Sequence, residues 1–278
     1  MNRQRVSEPA IRRPRSLIWP GVLILMASWM VALLATAPIT LIPVSRLALP
    51  PGVQLMPLSG TFWHGRWRLQ LPRVPAMTIH TDFLPLSIVR LQLAWHVRAQ
   101  ADAQGSQPDT GLNVAADVAL GLKQLSVRNL QGRLAADSPW VTSLTAWPLS
   151  GLIDFSGDAT LVRTERGLDL QTARATANWR NAQITTTEPL QLGDLAFNAE
   201  IAHGQLNATA KPASGAGGPL LGELSLAGTW PVTKAPTVRG YLQPTSIASD
   251  ALNQQLKLLG RPDASGKITI QGVLPGRY

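Results

Sequence analysis

Four histidines, His64, His80, His96 and His203, are the side chains best suited to acid–base or metal chemistry in this sequence, and no two lie closer than 16 positions apart. A metal motif carried on one element needs ligands only a few positions apart, so any such site would have to be assembled across several elements. Lone histidines on strand faces are more often surface residues than ligands. The 16 acidic residues are scattered, without the paired setting in which carboxylates perform acid–base work. Cysteine is absent, which excludes thiol nucleophiles, thiolate ligands and disulfides. No G-x-S-x-G elbow, phosphate loop or dinucleotide fingerprint occurs. The sequence therefore predicts a protein that is not an enzyme and takes no cofactor or metal. A catalytic reading would rest on convergence of His64, His80 or His96 with a carboxylate in three dimensions.

The nine tryptophans are more informative. Trp63 and Trp67 flank a predicted His-Gly-Arg turn in Leu58-Ser-Gly-Thr-Phe-Trp-His-Gly-Arg-Trp67. Thr61, Phe62, Trp63, His64, Arg66 and Trp67 are the candidate contact residues. Amphipathic aromatics beside arginines suit lipid headgroups, another membrane protein, or the plugged end of a sheet, and all three uses stay open. Nucleic acid is not among the expected partners. The formal charge of +9 divides into +4 before residue 16, from five arginines against Glu8, and +5 over the rest. No block of Lys and Arg beside aromatics follows.

The elements that must position these residues begin with an apolar run. From Leu17 to Ile42 no side chain is charged, and a bilayer needs about 20 such residues. The predicted span is 16–38, with Leu17, Val22, Leu25, Trp29 and Leu33 among its anchoring residues. Pro38 and Pro43 end it, because each removes a backbone donor. Ala35-Thr36-Ala37 matches a signal-cleavage pattern, but the apolar run before it exceeds the 7 to 15 residues usual for a cleaved leader. Arginines at 3, 5, 12, 13 and 15 precede the run and Arg46 alone closely follows it. The positive-inside rule then places residues 1–15 in the cytoplasm and residues 39–278 in the periplasm of a Gram-negative bacterium, as a single-pass inner-membrane protein.

The body reads as strands. Gly151-Leu-Ile-Asp-Phe-Ser-Gly157, Gly222-Glu-Leu-Ser-Leu-Ala-Gly228 and Gly266-Lys-Ile-Thr-Ile-Gln-Gly272 each place apolar residues two apart, the period of a half-buried strand. The flanking glycines predict turns, bulges or close backbone approach. Leu168 and Leu170 switch parity to Ala173, Ala175, Ala177 and Trp179, which predicts an extra residue near Gln171. A similar switch marks Gly193. Further strands are expected through Leu91–Val97 and Val114–Leu122, giving ten or more in an antiparallel meander. Ser249 to Gly260 suits a short amphipathic helix, and Ser138-Pro139 starts a second. Both are expected to cover the sheet. Gln100–Gly111 and Lys211–Pro219 read as loops, the first a possible boundary of a membrane-proximal submodule at 45–100. The fold class is thus mainly β: a transmembrane helix, then a bent, Gly-interrupted antiparallel sheet with one or two short helices.

The order of these pieces resembles one family. Leu58–Trp67, the strand ending in Trp95, Ala177-Asn-Trp179, Leu192-Gly-Asp-Leu195, Gly222–Gly228, Leu256-Lys-Leu-Leu-Gly260 and Gly266–Gly272 together look like the N component of the type II secretion system. The resemblance implies an accessory inner-membrane subunit that aids export of folded proteins beside the C, L and M components, with the bilayer as a further partner through the anchor. The repeated amphipathic strands are also similar to lipid-handling proteins of the AsmA type, so a membrane-tethered lipid-binding groove is the rival reading. The residues that discriminate are Ile153, Phe155, Leu224, Leu226, Ile268 and Ile270, which would line an open apolar face in one case and a closed core in the other.

Overall fold

The computed structural model describes residues 25–26, 28–29, 36–41, 52–72, 74–101, 112–143, 145, 148–164, 167–185, 188–213, 217–231 and 235–273. Thirteen strands form one antiparallel sheet in which each strand pairs with its sequence neighbours, in the order β1 to β13. They are β1 (Gln54–Gly60), β2 (His64–Gln70), β3 (Met77–Phe83), β4 (Leu93–Ala101), β5 (Asn113–Leu120), β6 (Gln124–Ala135) and β7 (Leu149–Thr164), followed by β8 (Gly167–Ile184), β9 (Leu190–Ala202), β10 (Gln205–Pro212), β11 (Leu220–Thr229), β12 (Thr237–Pro244) and β13 (Ile268–Val273). Two α-helices join them, α1 (Pro139–Thr142) and α2 (Asp250–Leu259).

The expected parity switches are bulges. Leu161 faces Leu170 while Thr160 faces Thr172, so Gln171 is the extra residue. At Gly193 the register of β9 against β8 also shifts, with φ at +78°. An unpaired residue of this kind bends its strand and re-aims the chain without ending the sheet.

The three Gly-containing units are strand interiors rather than strands bounded by turns. Residues 151–157 lie within β7, and Gly222 and Gly228 both lie within β11; Gly266 alone occupies a turn, closed by its own N–H to the Asp263 carbonyl. Close backbone approach explains the interior glycines. A Cβ on Gly157 would stand 2.5 Å from the Arg174 carbonyl oxygen. Gly151, at φ +112°, sits where the β7–β8 register slips by one residue, a conformation that L side chains avoid. The His-Gly-Arg segment is likewise strand, not turn: His64 opens β2, and the turn is Thr61–Trp63. Leu91 and Leu122 lie outside the strands predicted to hold them, in the β3–β4 and β5–β6 connections.

Of the helices, α2 matches its pattern. The Ser249 hydroxyl accepts from the Leu252 N–H, a standard N-cap contact, and Leu252 and Leu256 are buried. Leu259, expected on the same face, is exposed, because it falls in the last turn beyond the strands that α2 packs on. Helix α1 is a single turn of four residues. Most of the predicted span 16–38, with Leu17, Val22 and Leu33, lies outside the described residues; Leu25 and Trp29 are helical. No helix among the described residues is long and apolar enough to cross a membrane. The 102–111 connection is also outside them, but β4 and β5 pair from Leu93 with Leu120 to Gln100 with Asn113, so the sheet is continuous there.

Candidate functional site

Directly opposed residues of antiparallel strands project to the same side, so the register sorts every strand residue by face. One row runs Trp67, Ile79, Ala99, Val114, Gly132, Phe155, Ala177, Phe197, Ala210, Leu224, Gly240 and Ile270, each paired with the next. It crosses β2 to β13 without a polar side chain. A parallel row, Phe83, Trp95, Val118, Val127, Ala159, Ala173, Ile201, Leu206 and Gly228, is equally apolar. The twelve gaps of the sheet, at about 4.8 Å each, make this face about 58 Å long.

The opposite face is polar. His64, Asp82, His96, Asp117 and Arg128 form a cross-strand row of alternating base and acid. His64 Nδ1 lies 3.1 Å from Asp82 Oδ1, Arg98 donates to the other Asp82 oxygen at 2.7 Å, and His96 Nδ1 lies 2.8 Å from Asp117. Further along, Arg133 and Arg180 grip Asp154 from two sides, and Arg174 donates to Glu200. Hydrogen bonds to the charged form hold three carboxyls below the usual carboxylate range: Asp82 through His64 and Arg98, Asp117 through Asn129 and His96, and Asp154 through Arg133 and then Arg180. Two histidines do meet carboxylates in three dimensions. Each pair is part of a solvated charge ladder, however, and among the described residues no three metal-ligating side chains converge.

The two long edges of the sheet also differ. At one, helices close over the apolar face: Leu220, Leu252, Leu256 and Ile268 form one buried cluster, and Trp140 of α1 packs with Met77, Ala99 and Leu112 in another. A third cluster unites Trp179, Ala136 and Ala182. At the other edge lie the turns after β1, β3, β5 and β7, where Leu86, Ile88, Leu91 and Leu122 are exposed, as is Leu168 at the start of β8. Sequence reasoning assigned Leu91, Leu122 and Leu168 to strands and passed over Leu86 and Ile88. Their signal was large apolar side chains in Pro- and Gly-marked connections, as in Leu84-Pro-Leu-Ser-Ile and Gly121-Leu-Lys, where turn chemistry favours polar groups.

The candidate contact residues at 61–67 fall at the start of this second edge. Phe62 stacks edge-on against Trp63 and Trp95, and Trp63 against Phe83. Trp95 Nε1 donates to the Phe62 carbonyl and Trp67 Nε1 to the Thr81 hydroxyl. Thr61 bridges Pro38, and the Phe62 N–H donates to the Ala37 carbonyl. His64 and Arg66 stay exposed on the polar face. The aromatics are thus packed upon one another, and the charged members of the segment face water.

The described residues thus form a sheet with one apolar and one charged face. Residues 51–271 match the family model for type II secretion system (T2SS), protein N, so the chain belongs to that family of secretion components. No curated protein and no solved structure matches the chain.

Proposed function

We propose that this protein is a non-enzymatic accessory subunit of the type II secretion system, tethered in the inner membrane by residues 16–38, with its N-terminus cytoplasmic and its sheet in the periplasm. There it acts as a scaffold among the inner-membrane subunits, of which the C, L and M components are the expected neighbours. The family match across β1 to β13 carries this reading. The open ends of the sheet support the docking mode. Among the described residues strand β13 is paired on one side only, with β12, and an edge strand offers backbone donors and acceptors to an incoming strand while its side chains set specificity. Photo-crosslinking in the cell from Gln271 on β13 and from His64 should capture a C, L or M subunit, and deletion of the gene should impair export of secreted substrates. Intact export together with no secretion subunit captured at either position would refute the scaffold.

One observation favours a second reading. Ile153, Phe155, Leu224, Leu226 and Ile270 are half-buried on a face over which the described residues form no second sheet, whereas Ile268 is buried beside α2. An open apolar face of this length suits acyl chains. A photoreactive residue at Leu226 should then yield a lipid adduct by mass spectrometry, and one at neighbouring Ser225, on the polar face, should not. Equal labelling at both positions would count against it.

A further inference from the structure

We propose that the exposed leucine edge of the sheet is a bilayer-contact surface that lies on anionic phospholipid, so that the domain rests edge-down on the membrane with its helix-covered edge pointing away. Three independent observations converge on this edge. The first is apolar exposure: Leu122, Leu86 and Leu91 are 91%, 83% and 82% exposed, in adjacent connections, a concentration that soluble surfaces avoid unless something covers it.

The second is charge. Among the described residues, the connections on this edge carry Arg90 and Lys123 and no carboxylate. The described residues of the connections on the opposite edge carry Lys257, Arg261 and Lys267 against Asp137, Glu188, Asp250 and Asp263. Arg163 and Asp169, just inside the strands, offset one another. The leucine edge is therefore the positive one, and apolar side chains interleaved with cations match the interface of an anionic bilayer.

The third observation is where the chain arrives. Residues 37–39 of the apolar run reach this edge: Pro38 bridges Thr61, Ala37 accepts from Phe62, and Ile39 is buried with its Cδ1 beside Gly65. A span ending there leaves little chain between bilayer and sheet. The leucines in the neighbouring turns then sit at headgroup depth, while a partner protein would have to share that narrow gap. The inference rests on the reading of 16–38 as a membrane span.

The absence of cysteine makes the test direct. The full-length chain is reconstituted into vesicles of phosphatidylethanolamine and phosphatidylglycerol, with one cysteine at a time, Leu86→Cys, Leu122→Cys or Leu258→Cys, carrying a polarity-sensitive fluorophore. Positions 86 and 122 should emit to the blue of position 258 and lose emission to nitroxide-labelled lipid, which leaves 258 bright. Replacing phosphatidylglycerol by phosphatidylcholine, or introducing Lys123→Glu, should weaken quenching at 122. Equal quenching at 122 and 258, or none at 86 and 122, overturns the proposal. Resistance of the chain to alkaline extraction is scored on the same vesicles. A chain that extracts disproves the span itself, whereas a retained chain with an unquenched leucine edge disproves only the contact.

Discussion

Leu256 and Leu122 are the same residue type at opposite long edges of one sheet; the first, on the buried face of α2, is 4% exposed and the second is 91% exposed in a turn. The edges share a backbone ladder and an apolar face, so they differ in what covers them. At the helix edge the chain itself supplies the cover: α2 is laid across β9, β12 and β13, and Trp140 of α1 is packed beside Met77. At the leucine edge Gly121-Leu-Lys123 between β5 and β6 is too short to cross back over the face, and the 3-10 helix Pro85–Arg90 between β3 and β4 leaves Leu86 and Ile88 exposed. Stability is accordingly concentrated at one edge, and the apolar surface left for a ligand or membrane lies at the other.

The sharpest way to break that contrast is to truncate one leucine at each edge. Leu256→Ala should lower the unfolding free energy by about 2–4 kcal/mol, the usual result of emptying a packed site, read from urea or thermal unfolding of the full chain in detergent. A loss below about 1 kcal/mol would show that α2 is not firmly seated. The middle of the apolar face gives the next largest effect. A Cβ on Gly132 would stand 2.2 Å from the ring of Phe155, so Gly132→Val should cost about 1–3 kcal/mol through overpacking. Combining it with Phe155→Ala should return part of that loss in a double-mutant cycle, and strict additivity would show that the two do not touch.

The charge ladder contributes less. Asp82, Asp117 and Asp154 are held below their ordinary value, so over the acid range the unfolded chain binds protons first and stability rises with pH. Their contribution is complete above the ordinary carboxylate range, about pH 5 and higher, and is lost as pH falls through the depressed folded values. Exposed pairs of this kind are worth about 1 kcal/mol or less. Asp154→Asn, which strips Arg133 and Arg180 of their shared acceptor, should flatten the unfolding midpoint between pH 5 and pH 3, about that span being enough to titrate it. An unchanged slope would mean that the ladder does not stabilise the fold. Smallest of all, Leu122→Ala should shift stability by about 0.5 kcal/mol or less, as expected for a side chain that packs on nothing. A loss approaching that of Leu256→Ala would abolish the distinction between the edges.

Much of the sheet was legible from period alone. Alternation at Ile153 and Phe155, Leu224 and Leu226, and Ile268 and Ile270 gave the faces, and the parity switches at Gln171 and Gly193 gave the bulges, because a one-residue insertion inverts every side chain beyond it. The capping serine and spacing of α2 were legible for the same reason. The glycines fell among the expected uses, Gly151 at a bulge, Gly157 and Gly222 against cross-strand carbonyls and Gly266 in a turn, but which glycine served which use was not legible, since one demanded by a cross-strand carbonyl looks in sequence like one demanded by a turn. Nothing in the spacing of His64 and His96 announced that both lie in one row with Asp82 and Asp117, eighteen or more positions away.

By itself the sequence determined a meander of two-faced strands, a long uncharged apolar run before it, and the absence of thiol chemistry, because each follows from residue type and local period. Tertiary structure decided the rest. Register aligned the apolar positions of twelve strands into one unbroken row, and tertiary packing determined that α2, unlike the 3-10 helix Pro85–Arg90 at the other edge, buried its leucines against the sheet. The direction in which each leucine's edge was left open depended on both, and neither is a property of any single segment of chain.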